Sequence, residues 1–426
     1  MKIAIAGYGL EGESSYRYYS SDPSNEITIV DQHQPNRNLP DGEKTIIADD
    51  AFEKLQDFDL VIRTAGLSPH KIKTNGKIWS ATNEFFAKCP AQIIGVTGTK
   101  GKGTTASIIA SILKSAGKKV WLLGNIGKAA LDVINDIQAN DIVVYELSSF
   151  QLCDLEESPH IAVILYIEQE HLDVHSNQNE YIKAKSNITK HQNNNDILIY
   201  NKNNQYSKEI ANSSSARLIG CPDETTAHVT NGHFYYNEQK ICSVDTLRIA
   251  GIHNYNNTCA AIDAAWEFTN DTGIINKGIG SFMGLPHRLQ FIREVDSVKY
   301  YDDSIATTPS SAIAALRSFV CPKVIIIGGS SKGSDFSELG KELLKHDVKA
   351  ILIGDESINI ARTCDQAGFV DYEIMDNPTA DKFVARSKFL AKPNSVVLLS
   401  PASASFGLYK NYIDRGNQFI AAVNKL

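Results

Sequence analysis

A glycine-rich segment with two lysines carries the strongest chemical signal in the chain. Residues 95–105 read Gly-Val-Thr-Gly-Thr-Lys-Gly-Lys-Gly-Thr-Thr, between an apolar run typical of a strand and a helical pattern at 106–116. The glycines let backbone N–H groups turn inward around an anion, and the helix N-terminus adds partial positive charge. We therefore predict a nucleotide-binding P-loop rather than a basic surface turn. Its ligating residues are predicted to be Gly98, Thr99, Lys100, Gly101, Lys102, Gly103 and Thr104.

Two positions in this loop determine how it would hold a nucleotide. Lys102 can reach the β- and γ-phosphates of a bound triphosphate. Gly103 stands where a P-loop usually carries the hydroxyl that holds Mg²⁺, so the next hydroxyl, that of Thr104, is the predicted metal contact. Glu146 ends a predicted strand at residues 142–146 and offers the hard oxygen ligand that Mg²⁺ prefers.

The roles of His171 and Lys185 are ambiguous when only residue type and position in the sequence are considered. His171 is a lone histidine, and such residues more often have a structural role than a metal-binding one. Lys185 lies two residues from Lys183, and a surface lysine is the default interpretation.

A second glycine motif lies at the start of the chain. Residues 7–12 read Gly-Tyr-Gly-Leu-Glu-Gly after a first apolar strand, and Asp31 ends the second strand. This is the fingerprint of dinucleotide-binding folds, and alone it would suggest NAD. A dehydrogenase, however, would leave the P-loop unexplained.

The elements that must position these residues alternate between apolar runs and helical patterns, which predicts an α/β fold with mostly parallel sheets. Polar stretches at 191–196, 201–215 and 221–237 predict exposed loops and a hairpin. The predicted strands cover residues 2–6, 27–30, 60–63, 92–96, 120–123, 142–146, 162–166, 197–200, 323–327, 350–353 and 395–399.

Length and composition limit the number of domains and the functional classes that the chain can have. The 426 residues exceed one ordinary domain, and joints near Cys89 and near residues 282–287 predict domains at 1–89, 90–283 and 284–426. The formal net charge of −7 argues against a broad nucleic-acid-binding surface. No apolar run approaches the roughly 18–20 residues of a membrane span. The seven cysteines form no CxxC pair, which favours reduced thiols in a cytoplasmic protein.

The order of the motifs along the whole chain resembles that of the Mur ligases. Its most specific parts are the block Glu-Leu-Ser-Ser-Phe-Gln-Leu at 146–152 and the C-terminal block that runs through Arg415 and Gly416. The remaining motifs are, in order, Gly-Asn-Ile-Gly at 124–127, Glu-His-Leu-Asp at 170–173, Tyr-Ile-Lys-Ala-Lys at 181–185, and the segments 251–257, 284–288, 302–304, 328–332 and 399–405.

The resemblance implies three domains: a Rossmann-like N-terminal domain that binds a UDP-sugar, a central P-loop domain that binds ATP, and a Rossmann-like C-terminal domain that binds an amino acid. It implies that Lys102, Glu146, His171, Lys185 and Arg288 act in catalysis. It also implies one or two Mg²⁺ ions held by Thr104, Glu146, His171 and a carbamate formed on Lys185.

The resemblance also implies ligands for each substrate. Asn254 and Asp303, together with Arg288, would complete the ATP site. The UDP-sugar site would comprise Gly9, Leu10, Glu11, Asp31, Gln32, Thr64, Gly66 and Asn125, with the uridine near the loop at 64–69. The glutamate site would comprise Thr307, Lys332, Ser405, Phe406 and Tyr412.

The reaction expected from the resemblance is the ATP-dependent addition of D-glutamate to UDP-N-acetylmuramoyl-L-alanine through an acyl phosphate, by a cytoplasmic monomer in peptidoglycan synthesis. Ile305 stands where D-glutamate-adding enzymes typically carry a lysine, so an L-glutamate-adding variant is an alternative. A folylpolyglutamate synthetase and a non-catalytic nucleotide-sugar sensor are further alternatives. The former lacks an N-terminal domain of this kind, and the latter has no need for the catalytic residues.

Overall fold

The structure is a computed structural model and describes residues 1–35, 37–168, 177–249, 251–331 and 333–426. These residues form two compact units. The first comprises Met1–Thr246 and Tyr255–Ser281, and the second comprises Leu247–Asn254 and Phe282–Leu426. The division into three domains stays a prediction.

The first sheet of the first unit has five parallel strands, because its short β-branched runs are each followed by a helix or a crossover. In spatial order these are β3-β2-β1-β4-β5. The strands are β1 (Lys2–Ala6), β2 (Glu26–Asp31), β3 (Lys44–Ile47), β4 (Leu60–Arg63) and β5 (Lys77–Ser80), and the helices are α1 (Leu10–Ser20) and α2 (Ala81–Lys88).

The second sheet of this unit has six parallel strands in the order β11-β10-β9-β6-β8-β7. Its central strands are buried apolar runs, as expected where both faces are covered. The strands are β6 (Gln92–Thr97), β7 (Val120–Gly124), β8 (Ile142–Glu146), β9 (Ile161–Ile164), β10 (Ile197–Asn201) and β11 (Arg217–Cys221), and the helices are α3 (Lys102–Ser115), α4 (Ser149–Leu152), α5 (Gln178–Ser186) and α6 (Gln205–Asn212).

Helix α6 corrects the prediction of a loop across residues 201–215. The side chain of Asn204 accepts a hydrogen bond from the backbone N–H of Ser207, which caps the helix. Ile210 and Ala211 are buried on its inner side. A polar segment with few apolar residues therefore forms a helix because its cap and its one buried stripe suffice.

An antiparallel three-stranded sheet follows and contains the predicted hairpin within residues 221–237. Its strands are β12 (Ala227–Thr230), β13 (His233–Tyr236) and β14 (Gln239–Ser243). Two helices, α7 (His253–Trp266) and α8 (Thr272–Ser281), come next in the chain.

The second unit contains one six-stranded sheet in the order β15-β16-β20-β17-β18-β19. All its pairs are parallel except the hairpin of the first two strands. The strands are β15 (Gln290–Val295), β16 (Val298–Asp302), β17 (Lys323–Gly328), β18 (Val348–Ile353), β19 (Tyr372–Ile374) and β20 (Val396–Leu399), and the helices are α9 (Pro309–Arg317), α10 (Ser337–Leu343), α11 (Ser357–Ala367), α12 (Ala380–Leu390) and α13 (Tyr412–Asn424).

The predicted α/β class with mostly parallel sheets is confirmed. Each parallel sheet brings the loops after neighbouring strands to one edge, and predicted site residues such as Gly98, Asp303 and Ser405 lie in such loops. Within the described part of the chain, every helix is too short or too polar to cross a membrane.

Candidate functional site

The predicted P-loop lies between β6 and α3, with Gly98 and Gly101 at φ angles of 152° and 85°. A Cβ atom on Gly101 would lie 2.3 Å from Oδ1 of Asn257, so the loop passes directly against α7. The Nζ atom of Lys102 donates to the carbonyl oxygens of Gly98 at 3.1 Å and Thr99 at 3.0 Å. The cation is therefore held over the loop that is predicted to bind phosphate.

Helix α5 packs against the same loop. Lys185 is only 1% exposed, and its Nζ atom donates to the carbonyl oxygen of Gly98 at 2.8 Å. The hydroxyl oxygens of Tyr181 and Thr99 are 3.0 Å apart. The default interpretation of Lys185 as a surface lysine is wrong, because α5 turns this side chain inward onto the P-loop.

Glu146 lies beside the P-loop because β8 is paired with β6, with Glu146 opposite Val96. Its side chain is 4% exposed, and Oε1 accepts a hydrogen bond from Nδ2 of Asn125 at 3.2 Å. The other oxygen, Oε2, is buried and has no hydrogen-bond partner among the described residues. A buried carboxylate oxygen left unpaired is costly, and it fits a site for a hard cation such as Mg²⁺.

The other predicted metal ligands differ in what the structure describes of them. Thr104 is half-buried in the first turn of α3. His171 lies outside the described residues, which end at residue 168 and resume at residue 177. Within those limits, no group of three or more His, Cys, Asp or Glu side chains is arranged to hold a metal ion. The complete ligand set stays a prediction.

Most of the residues predicted to bind the UDP-sugar lie at or next to the first glycine turn. Gly9 precedes α1, whose first turn contains Leu10 and Glu11. A Cβ atom on Gly7 would lie 2.4 Å from Oγ1 of Thr64, so the turn touches the 64–69 loop, which includes Gly66. Asn125, by contrast, lies next to Glu146, to which its side-chain amide donates a hydrogen bond.

Asp31 and Gln32 are bound to the backbone of the same region. The carboxylate of Asp31 accepts hydrogen bonds from the backbone N–H groups of Tyr8 at 2.8 Å and Gln32 at 2.7 Å. The side-chain amide of Gln32 donates to the carbonyl oxygen of Asp49 at 2.6 Å. Asp31 therefore fixes the glycine turn, in addition to any contact with a ligand.

Sequence reasoning missed one buried residue next to this region, Arg63, whose signal was a lone arginine at the end of an apolar strand. It is 1% exposed, and its guanidinium forms an ion pair with the carboxylate of Asp154. Burial alone would lower the pKa of Arg63, but the hydrogen bond and charge of Asp154 outweigh it, so the pKa is raised. Arg63 is therefore a permanent buried cation.

In the second unit, Asp303 follows β16 and is buried. Its carboxylate accepts hydrogen bonds from the backbone N–H of Leu289 at 3.1 Å and from the hydroxyl of Ser400 at 2.7 Å. Burial raises the pKa of Asp303 to about 7. Arg288 is exposed, and Asn254 is buried in the first turn of α7.

Of the residues predicted to bind glutamate, Thr307 lies in the loop after β16, and Ser405 and Phe406 lie in the loop after the neighbouring strand β20. Tyr412 is the first residue of α13. Ser405 is buried, whereas Thr307 and Tyr412 are half-buried. Phe406 is exposed. Lys332 lies outside the described residues.

Arg415 connects these two loops and was not among the predicted ligands. Its Nε and Nη2 atoms donate to the hydroxyl and carbonyl oxygens of Ser304 at 2.9 and 2.8 Å. Its Nη1 atom donates to the carbonyl oxygens of Ser403 and Ala404 at 3.1 and 3.3 Å. Burial lowers the pKa of Arg415 to about 10. The planar guanidinium thus fixes the spacing of the predicted amino-acid site.

Comparison with known proteins identifies the family. The sequence pattern of the Mur ligase middle domain matches residues 96–265, and that of the Mur ligase glutamate ligase domain matches residues 287–403. The UDP-N-acetylmuramoylalanine–D-glutamate ligase of Clostridium tetani is 34% identical over 100% of this chain and 97% of its own length. The chain belongs to the Mur ligase family. Mur ligases are ATP-dependent amide ligases, so the prediction of such an enzyme is confirmed.

Solved structures of other Mur ligases share the fold. MurC of Thermotoga maritima superimposes with a TM-score of 0.62 at 18% identity, over 100% of this chain and 99% of that one. MurF of Thermotoga maritima, solved in complex with ADP, has a TM-score of 0.57 at 18% identity, over 99% of this chain and 93% of that one. These likenesses confirm the predicted fold class.

Proposed function

We propose that this Mur ligase adds D-glutamate to UDP-N-acetylmuramoyl-L-alanine, at the expense of ATP, in the synthesis of peptidoglycan precursors. The observation that carries the proposal is the full-length similarity to ligases of that name. The arrangement around the P-loop supports it, because Lys102 and the buried Lys185 both donate to the carbonyl oxygen of Gly98. Glu146, whose Oε2 atom has no hydrogen-bond partner among the described residues, ends the strand beside this loop.

The reaction requires two bond exchanges. An oxygen of the substrate carboxylate attacks the γ-phosphorus of ATP, and the bond to the β-phosphate oxygen breaks to give an acyl phosphate and ADP. The amine of glutamate then attacks the acyl carbon, loses a proton and displaces inorganic phosphate. The first step brings two anions together, so the site must supply positive charge.

Lys102 and Arg288 are proposed to supply that positive charge. Lys102 already points over the loop, and its two carbonyl contacts are ones that a bound phosphate could replace. Asn254, Asp303 and the backbone of residues 98–104 are proposed to hold the rest of ATP. The described geometry within each unit is consistent with these roles.

Mg²⁺ would be held by Glu146 and Thr104, with His171 and a carbamate on Lys185 completing one or two sites. When bound, the ion would neutralise phosphate charge in the transferred group. The burial of Lys185 supports the carbamate, because a carbamate would be shielded from water beside the loop. Labelling with ¹³C-bicarbonate should give a carbamate signal that is absent from Lys185→Arg.

The sugar nucleotide is proposed to bind at the glycine turn and the 64–69 loop, with Gly9, Leu10, Glu11, Asp31, Gln32, Thr64, Gly66 and Asn125 as ligands. Glutamate is proposed to bind between Thr307, Lys332, Ser405, Phe406 and Tyr412. The proposal further includes three domains, at residues 1–89, 90–283 and 284–426, in a cytoplasmic monomer. Limited proteolysis, sedimentation velocity and cell fractionation would test these points.

An L-glutamate-adding variant is the second candidate. Ile305, which stands where D-glutamate-adding enzymes typically carry a lysine, lies half-buried in the loop after β16. Phosphate release should therefore be measured with ATP, Mg²⁺ and UDP-N-acetylmuramoyl-L-alanine, in the presence of D-glutamate, L-glutamate or neither. Release with D-glutamate alone is the expected result. Release with L-glutamate alone would establish the variant, and failure with both would refute the assigned substrates.

A further inference from the structure

Arg63 binds three backbone carbonyl groups of the loop that follows β4. Its Nη1 atom lies 3.3, 3.4 and 3.2 Å from the carbonyl oxygens of Thr64, Ala65 and Leu67. One guanidinium nitrogen therefore gathers three carbonyl groups, and the loop is wrapped around it. Because this loop touches the glycine turn, its shape determines one side of the proposed sugar-nucleotide site.

The opposite side of the same guanidinium binds the segment that contains α4. Nε donates to Oδ2 of Asp154 at 2.6 Å, and Nη2 forms an ion pair with Oδ1 of the same residue. Nη2 also donates to the carbonyl oxygen of Phe150 at 2.8 Å. Helix α4 begins at Ser149, three residues after Glu146, so Arg63 connects the 64–69 loop to the segment that follows the proposed metal ligand.

A second, independent connection runs parallel to the first. The carboxylate of Glu11 accepts hydrogen bonds from the backbone N–H of Ala65 at 3.0 Å and from the side-chain amide of Gln151 at 2.9 Å. The oxygen of that amide accepts the backbone N–H of Ser148 at 3.0 Å. Ser148 lies two residues from Glu146, so the 64–69 loop is tied to the same segment at two points.

We propose that Arg63 is a positioning residue that sets the 64–69 loop for the sugar nucleotide and holds it in register with the segment after Glu146. This inference rests on the proposed function. A planar, permanently charged fork is suited to the task, since it binds a carboxylate and several carbonyl groups at once. The loop cannot shift without removing partners from a buried cation, which is costly. Arg63 does not itself act on the reacting atoms.

Two variants test the proposal with little change in shape. Arg63→Lys keeps the charge but lacks the planar fork, and Asp154→Asn keeps the carboxylate's shape without its charge. We expect each to raise the KM for UDP-N-acetylmuramoyl-L-alanine by about tenfold or more, while the KM for glutamate stays within about twofold. A variant that merely loosens the fold would lower kcat and the melting temperature without this selectivity.

Arg17 and Asp132 provide the matched control. They form another arginine–carboxylate pair, with Nη2 at 2.8 Å from Oδ2, between α1 and the segment that precedes β8. Within the described residues, the hydrogen bonds of this pair join Arg17 to Asp132 and do not reach the 64–69 loop. We expect Arg17→Lys and Asp132→Asn to leave every KM within about twofold of the wild type.

Equilibrium binding of UDP-N-acetylmuramoyl-L-alanine, measured by calorimetry without ATP, separates this inference from the proposed function. Weaker binding by Asp154→Asn than by the wild type, at a temperature where both proteins are folded, supports the inference. Equal binding by the wild type and Asp154→Asn, or an equal rise in all three KM values, overturns it and leaves the proposed function intact. A wild type that does not bind the sugar nucleotide overturns both.

Discussion

Glu146→Gln is expected to lower activity without lowering stability. The Oε2 atom of Glu146 is buried and has no hydrogen-bond partner in the described part of the chain, and such an atom lowers the free energy of unfolding by about 1–3 kcal/mol. Glutamine keeps the acceptor for Asn125 and removes the negative charge. Its buried NH₂ group would also lack a partner, so the gain is limited. We expect a free energy of unfolding equal to the wild type or up to about 1 kcal/mol higher.

The same substitution removes a proposed Mg²⁺ ligand. We expect kcat/KM to fall by about 100-fold or more, which corresponds to about 2.7 kcal/mol of transition-state stabilisation. The Mg²⁺ concentration for half-maximal rate should rise. Phosphate release across a Mg²⁺ titration and urea unfolding of the metal-free protein measure the two effects separately.

Asp141, which directly precedes the same strand, is the matched control. It is also buried, but its Oδ2 atom accepts hydrogen bonds from Nε1 of Trp121 and the backbone N–H of Gln138, and pairs with Lys119. Asp141→Asn should lose up to about 1 kcal/mol of stability, because Lys119 is largely exposed, and leave the Mg²⁺ dependence unchanged. A large stability loss in Glu146→Gln, or an unchanged Mg²⁺ dependence, would refute the reasoning.

Three further predictions concern other parts of the chain. Burial raises the pKa of Asp263 to about 7, so the native state favours the protonated carboxyl and stability is lost as the pH rises to that value. In urea unfolding, the free energy of unfolding of Asp263→Asn should therefore fall less between about pH 5 and about pH 7.5 than that of the wild type. Arg415→Lys should raise the KM for glutamate by about tenfold with an unchanged KM for the sugar nucleotide, since lysine lacks the fork that joins the two loops; equal effects on both would contradict this. Gly101→Ala should raise the KM for ATP by about tenfold, because its Cβ would meet Asn257. Gly117→Ala, which also has a positive φ but open space, should change melting temperature alone.

The P-loop and Glu146 could be predicted because their signals are local. A glycine-rich turn between a strand and a helix has few alternatives, and an acidic residue at the end of a buried strand marks the carboxyl edge of a sheet. Parallel pairing then brings Glu146 opposite Val96, just before the loop. The α/β class follows from the same alternation of elements.

Residues whose partners are distant in sequence could not be predicted. Arg63 meets Asp154 across 91 residues, and Arg415 meets Ser304 across 111. No periodicity in either segment indicates such a partner. Lys185 resembled a surface residue because its helix is polar, yet the packing of that helix on the P-loop buries it.

The strand order of the second unit affects how the chain is made. β20 is the last strand in the sequence, yet it lies between β16 and β17 in the middle of the sheet. Until residues 396–399 leave the ribosome, both of those strands present an unpaired edge, which is a known route to aggregation. Lys299 pairs with Val396, so the centre of this sheet can close only after residue 399 has been synthesised. Loss of the C-terminal residues from 396 onward would therefore remove the centre of the sheet rather than trim its margin.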